Sequence, residues 1–237
     1  MLELSGLSKQ FGALQVIDKL NLSVAAGQVM GIIGPNGAGK TTLFNIIAGV
    51  FAPGAGSVRF GGRDIGHVKV WDRCRLGIAR TYQVPKPFTH MSVFENVLCA
   101  ALNGGRMKMR AGSEKAEEVL EFVALAHRSA MPAGELSLLD LKRLELAKAL
   151  ASEPRLLLLD EIAGGLTQTE CDTLLEIIGV VRDRGTTIVW IEHVIHALRR
   201  LASEIAVLYG GTIIARGTTD AVLADARVKE VYLGAGD

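Results

Sequence analysis

Apolar and polar positions change rhythm twice along the chain. In the first third, "LNLSV" (20–24) alternates and "QVMGII" (28–33) is almost uninterrupted, the pattern of a strand covered on both faces. A helix is expected from about Lys40 to Val50, and "APGAGSVRFGG" (52–62) predicts a turn, a short strand and a second turn. From about Pro85 to Leu150 no strand is expected. "PKPFTH" (85–90) is a loop broken by prolines, and "SVFENVLCAAL" (92–102) opens on Ser92 with Glu95 three residues on, a capping box. After the "NGG" break, "SEKAEEVLEFVALA" (113–126) is amphipathic and "LDLKRLELAKAL" (139–150) carries leucines at helical spacing. The last third returns to alternation. "RLLLLD" (155–160) and "TTIVWIEH" (186–193) read as buried strands. "TECDTLLEIIGVVRDRG" (169–185) reads as a helix, with Thr169 and Asp172 at capping-box spacing and Gly185 as its C-cap. "EIAVLYGGTIIARG" (204–217) predicts a hairpin around Gly210 and Gly211. Strands alternating with helices predict an α/β fold, a mostly parallel sheet covered on both faces, with the helical middle inserted into it.

Composition changes this picture in one respect. Hydrophobic residues make up 49% of the 237, and mean hydropathy is +0.30. No apolar stretch approaches the ~20 residues of a spanning helix, and the beginning "MLELSGLSKQFG" does not read as a signal peptide. The excess apolar surface is therefore expected in a core or against a partner. Net charge is +1, from 26 basic and 25 acidic residues with no run of one sign, which argues against a nucleic-acid binder. Cys74, Cys99 and Cys171 are far apart, with no C-x-x-C, and suggest neither a zinc site nor a disulfide framework.

The chemistry is concentrated at "GPNGAGKTT": Gly34, Pro35, Asn36, Gly37, Ala38, Gly39, Lys40, Thr41 and Thr42. Residues 34–41 fit G-x-x-x-x-G-K-[ST], the P-loop. Its glycines let backbone N–H groups turn toward phosphate oxygens, and the following helix adds its dipole. Lys40 would reach the β- and γ-phosphates and Thr41 would hold Mg²⁺. "LLLLDE" places Asp160 and Glu161 at the C-terminal edge of a sheet, where α/β ligands bind. Neighbouring side chains on a strand face opposite ways, so one acid can serve a metal while the other faces a water; a strand ending in solvated acids reads the same way in isolation. His193 follows a buried strand, where a lone histidine is more often a loop residue than catalytic. Gln83, after "GIARTY", says nothing alone.

Taken in order, "GPNGAGKTT", Gln83, the "LS" and "LKRLELAKAL" segments, "LLLLDE" and His193 resemble the nucleotide-binding subunit of ABC transporters over nearly the whole chain. "RTYQVPKPFTHMSVFENVLCA", "WIEHVIHAL" and the C-terminal segment narrow the likeness to the ATPases of branched-chain amino acid importers (the LivG/LivF type). The resemblance implies a P-loop NTPase with an N-terminal antiparallel β part, an α/β core at 1–83 and 151–237, and a helical subdomain at 84–150. It implies that Gln83 links Mg²⁺ to a transmembrane subunit, that Asp160 helps to hold the metal, that Glu161 polarises the attacking water, and that His193 meets the γ-phosphate. Phe11 would lie against adenine, near Val16, although a core phenylalanine is the alternative.

ATP and Mg²⁺ are the implied cofactors. The implied partners are transmembrane permease subunits, a second ATPase subunit, identical or homologous, and a periplasmic or extracellular substrate-binding protein. The chain would work as a peripheral protein on the cytoplasmic face of the cell membrane, without nucleic acid. An apolar docking surface around Gln83 to Val97, including Phe88 and Val93, is expected for the permease. Competing expectations are an exporter ATPase of the lipopolysaccharide type, a soluble ABC-type switch on nucleic acid or ribosome, and a small-molecule kinase.

Two segments depart from the family pattern. The signature, usually LSGGQ-like, is Leu136-Ser137-Leu138-Leu139-Asp140, and Thr167 stands where the D-loop usually has aspartate. Ser137 keeps the hydroxyl offered to a partner's nucleotide, while Asp140 is expected to repel a triphosphate nearby.

Overall fold

The computed structural model describes residues 1–233. The chain begins with β1 (Leu2–Phe11), β2 (Leu14–Val24) and β3 (Val29–Ile33), then α1 (Lys40–Ala48), β4 (Ala55–Phe60), β5 (Arg63–Asp64), α2 (Val70–Arg75) and β6 (Ile78–Arg80). Three helices follow: α3 (Val93–Asn103), α4 (Met109–Phe122) and α5 (Leu138–Leu150). The chain then runs through β7 (Leu156–Asp160), α6 (Gln168–Asp183), β8 (Thr187–Ile191), α7 (Ile195–Leu201), β9 (Glu204–Tyr209), β10 (Thr212–Gly217), α8 (Thr219–Ala224) and α9 (Ala226–Leu233).

These strands make two sheets. One has the order β10-β9-β3-β8-β7-β6, parallel except for the antiparallel edge strand β10; the other, β2-β1-β4-β5, is antiparallel. All five residues of β3, of β7 and of β8 are buried, as their unbroken apolar runs predict for central strands. The period of two divides their side chains between two cores. Met30, Ile32, Leu156, Leu158, Val189 and Ile191 pack toward α1 and the antiparallel sheet. Val29, Ile33, Leu157, Leu159, Ile188 and Trp190 pack on the other face, with residues of α3 to α6. Each buried leucine contributes about 1.5–3 kcal/mol, so a shift of register by one residue would exchange both faces and is strongly disfavoured.

Between β6 and β7 the described chain has helices and turns, with one isolated bridge between Ser92 and Pro132. The capping box of Ser92 and Glu95 forms as expected. That of α6 does not sit at Thr169 and Asp172. Thr167 caps the helix and Glu170 answers it, while the Thr169 carbonyl accepts from the Thr173 hydroxyl one turn inside. At the other end Arg184 is the capping residue, and Gly185 (φ 87°) turns the chain away after it. α1 stops at Ala48, two residues before Val50, because Gly49 takes up the left-handed conformation (φ 86°). β1 was not legible as a strand. Its Leu2, Leu4 and Leu7 are buried, but the register slips between Leu4 and Leu7, which breaks the alternation.

Candidate active site

Residues 34–39 connect β3 to α1 in a tight curl, and space dictates two of its glycines. A Cβ on Gly34 would lie 2.2 Å from the Leu208 carbonyl oxygen; one on Gly39, where φ is 102°, would lie 2.9 Å from that of Val16. The curl ends at the N-terminus of α1, whose unpaired N–H groups and dipole favour an anion. Lys40 is the first residue of that helix and is only 6% exposed. Its ammonium donates to the carbonyl oxygens of Gly34 (2.6 Å) and Pro35 (3.0 Å). Burial draws its pKa below the usual lysine value, against the raising effect of Glu161 and Asp160. The adjoining cleft, of about 690 Å³, is lined by Val16, residues 36–42, Gln83, Glu161 and His193.

The two acids diverge at the end of β7. Asp160 is buried, and its Oδ2 accepts from Arg80 at 2.6 Å. Glu161 has φ 45°, a left-handed conformation that a glutamate adopts at a cost of about 1–3 kcal/mol. Its N–H donates to the Ile191 carbonyl at 2.9 Å, which holds the bend. The bend brings Glu161 into the cleft, where Oε2 accepts from the Gln83 amide (2.5 Å) and Oε1 lies 2.9 Å from His193 Nε2. Three segments far apart in sequence thus meet on one carboxylate.

The donor set suits a hard cation. Thr41 and Gln83, each with a side-chain oxygen, line the cleft, whereas Asp160 lies outside the lining, buried, with its Oδ2 held by Arg80. Two or three oxygens, the rest coming from phosphate and water, is the ordinary protein contribution to Mg²⁺. No group of three or more His, Cys, Asp or Glu that could hold a metal occurs among the described residues.

Arg80, Lys142 and Glu192 were missed in the sequence. Arg80 is buried with Asp160, donates to Asn45 Oδ1 and lies over the rings of Phe44 and Tyr82. Lys142 and Glu192 are 2% and 1% exposed. The available signal was a charge inside an otherwise apolar segment, "GIAR" and "TIVWIE", which goes against the rarity of unpaired buried charge.

Comparison with known proteins identifies the lineage. The family described as "ABC transporter" matches residues 17–164, and the one described as "Branched-chain amino acid ATP-binding cassette transporter" matches residues 212–237. A probable branched-chain amino acid transport ATP-binding protein, LivG of Archaeoglobus fulgidus, is 34% identical over 248 residues, covering 100% of this chain and 96% of its own. The high-affinity branched-chain amino acid transport ATP-binding protein BraF of Pseudomonas aeruginosa is 35% identical over 249 residues, with 99% and 98% covered. The chain belongs to the ABC transporter family. A solved ATP-binding cassette of an ABC transporter in its ADP conformation superposes with a TM-score of 0.90 at 32% identity, covering 99% of this chain and 98% of that one.

Within this ABC cassette, several residues lie apart from the cleft. Phe11 does not line it. The residue is 41% exposed, and its ring meets Phe51 edge-on at 5.2 Å, with the Lys9 ammonium 5.2 Å from its centre. Ser137 also lies outside the lining; it caps α5, accepting from the Asp140 N–H and donating to Asp140 Oδ2 at 3.0 Å. Asp140 is not the free negative charge expected. It is 5% exposed and paired with Arg128 (3.4 Å) and Arg143 (3.2 Å), so its charge is neutralised within the chain. Thr167, the D-loop departure, is occupied in capping α6. Val93 is fully buried and cannot be a docking residue, whereas Phe88 is 53% exposed.

Glu192 gives the site a pH signature. Burial raises its pKa to about 7, and the Glu161 charge also raises it; the N–H groups of His193 and Ala163 and the Lys142 charge oppose this. The Cys171 thiol also feels the Glu192 charge, and Lys229 of α9 borders an apolar pocket with it. Between about pH 4.5 and 7 the folded chain binds the proton that the unfolded chain has released, so stability falls as pH rises through this window. From the shift, this group should contribute a loss of roughly 3 kcal/mol. Denaturant melts of Glu192→Gln should have a flatter slope of stability against pH here than wild type. Identical slopes would show that Glu192 does not titrate in this range.

Proposed function

We propose that this chain hydrolyses ATP to drive uptake of branched-chain or related amino acids through separate permease subunits. The observation that carries the reading is the meeting of the P-loop, Gln83, Glu161 and His193 around one cleft. The names of the LivG and BraF relatives supply the substrate class. In this reading residues 84–150 form a helical subdomain on the α/β core of 1–83 and 151–237. The chain sits on the cytoplasmic face of the membrane as a peripheral subunit, consistent with the absence of any helix long and apolar enough to cross a membrane among the described residues. Its partners are permease subunits, a second ATPase subunit and an external substrate-binding protein, without nucleic acid.

The assigned roles follow the family resemblance. Backbone N–H groups of residues 36–42 and the Lys40 ammonium hold the β- and γ-phosphates. Val16, which borders the cleft, faces the base. Thr41, Gln83 and Asp160 would hold Mg²⁺, which would neutralise charge on the phosphate oxygens. Glu161 orients the attacking water and accepts its proton, and His193 keeps that carboxylate in place and meets the transferring phosphoryl group. Arg80 holds Asp160 in its orientation.

The test is reconstitution in vesicles with permease subunits and a substrate-binding protein of the branched-chain amino acid importer type. ATP-driven uptake of labelled leucine or isoleucine is expected; export, or copurifying nucleic acid in place of membrane subunits, would overturn the reading.

Two further results are expected. Phe88→Glu should reduce transport while nucleotide binding persists, because the side-chain amide of Asn96 holds the backbone there, its Oδ1 accepting the Phe88 N–H and its Nδ2 donating to the Phe88 carbonyl, while Phe88 is 53% exposed. Undiminished transport would remove Phe88 from the docking surface. At the signature, Leu138 is 44% exposed and stands where the family has glycine. Beside a homologous partner with the usual glycines, Glu161→Gln in this chain should lower ATPase more than the matching change in the partner, because this chain's signature serves the partner's site poorly. Equal losses would refute the asymmetry.

A further inference from the structure

Two buried side chains of opposite charge hold the loops of the catalytic cleft from beneath. Lys142 lies on α5, the helix that Ser137 caps. Its ammonium donates to the carbonyl oxygens of Gln83 (2.7 Å) and Glu161 (3.3 Å). Glu192 ends the buried run of β8. Its Oε1 accepts the N–H of Ala163 and its Oε2 the N–H of His193, each at 3.0 Å. One charge thus satisfies two carbonyls and the other satisfies two N–H groups, and each of the four belongs to a loop bordering the cleft or following it. Both are almost completely buried, where a charge is costly unless fully engaged. They act on each other through space: each is among the charges that offset the other's burial. Neither side chain lines the cleft.

We propose that Lys142 and Glu192 form a buried two-charge bracket that sets Gln83, Glu161 and His193 in register with α5. Both are positioning residues, acting through backbone groups of the segments that carry Glu161 and His193. Because α5 begins at Ser137, the bracket also ties the surface offered to a partner to the chain's own cleft. A rearrangement at the start of α5 would be carried through Lys142 to the backbone of Glu161. The inference rests on the roles assigned to Glu161 and His193 above.

The test compares wild type, Glu192→Gln and Lys142→Met as full chains, by hydrogen exchange of individual amides and by ATP turnover in the assembled transporter. Glutamine keeps the shape of Glu192 but can accept only one of the two N–H groups, so faster exchange is expected at Ala163 or His193. Lys142→Met touches neither amide directly. Faster exchange there in this variant, with β1 amides still protected, is what the bracket requires and what a merely local role would not produce. Turnover should fall roughly tenfold to a hundredfold at an unchanged KM for ATP, the effect of misplaced catalytic groups. The double variant should lose little more than the worse single one, since each charge acts through the other. Wild-type exchange at Ala163 and His193 in Lys142→Met, undiminished turnover in both single variants, or additive losses would overturn the bracket. Glu161→Gln separates the two failures: if that variant turns over ATP normally, the assigned mechanism fails; if it is inactive while the bracket variants behave as wild type, only the bracket does.

Discussion

Replacing Glu161 with glutamine is expected to lower ATP turnover by roughly a hundredfold or more while leaving nucleotide affinity within a few-fold of wild type. The groups that would bind phosphate are Lys40 and the backbone of residues 36–42, and none of them bonds to this carboxylate. Glutamine has the same shape and still accepts through one oxygen, so it can keep either the Gln83 or the His193 contact. It cannot accept a proton from water. Bound ATP should then persist, and pairs of subunits closed around it should accumulate. A fluorescent nucleotide measures the affinity, phosphate release the turnover, and size-exclusion chromatography with ATP the pairing. Wild-type phosphate release would remove Glu161 from the chemistry. Weakened binding at low turnover would instead mean that its contacts with Gln83 and His193 organise the empty cleft for nucleotide.

What the sequence made legible follows from how local each requirement is. The P-loop could be read because phosphate binding demands glycine where a side chain would strike the Leu208 and Val16 carbonyls, and demands lysine at the start of the helix. The strands β3, β7 and β8 could be read because burial on both faces leaves no polar position within them. From the residues alone Gln83, Glu161 and His193 stand apart, and only the family resemblance puts them at one site. Their convergence depends on a β6-β7-β8 order set by packing and on a left-handed Glu161, which no residue type announces. The misreadings have the same origin. Asp140 looked like a free charge because Arg128 and Arg143 were invisible as its partners. Val93 looked like part of an apolar surface because helical periodicity does not say which side a neighbouring helix covers. Thr167 and Thr169 are both capable caps, and the choice between them depends on where the chain leaves the cleft.

Replacing Lys40 with alanine is expected to act on binding rather than on the chemical step alone. In the structure its ammonium is nearly buried, held by the two carbonyl oxygens that open the curl, and both Glu161 and Asp160 favour its charged form. A triphosphate would bring a far stronger partner than those carbonyls. Charge-assisted hydrogen bonds of this kind contribute about 1.5–3 kcal/mol each, so losing the ammonium should weaken ATP affinity by roughly tenfold to a hundredfold. ADP affinity should fall less, because the γ-phosphate contact is then no longer part of the difference. Alanine also leaves the Gly34 and Pro35 carbonyls without this donor, which should loosen the curl and raise hydrogen exchange at its amides. Titration calorimetry with ATP and ADP checks both halves. Unchanged ATP affinity would count against Lys40 as the phosphate partner. Equal losses for the two nucleotides would place its contact on the β-phosphate alone, and the stabilisation of the transferring group would then fall to His193 and the backbone N–H groups.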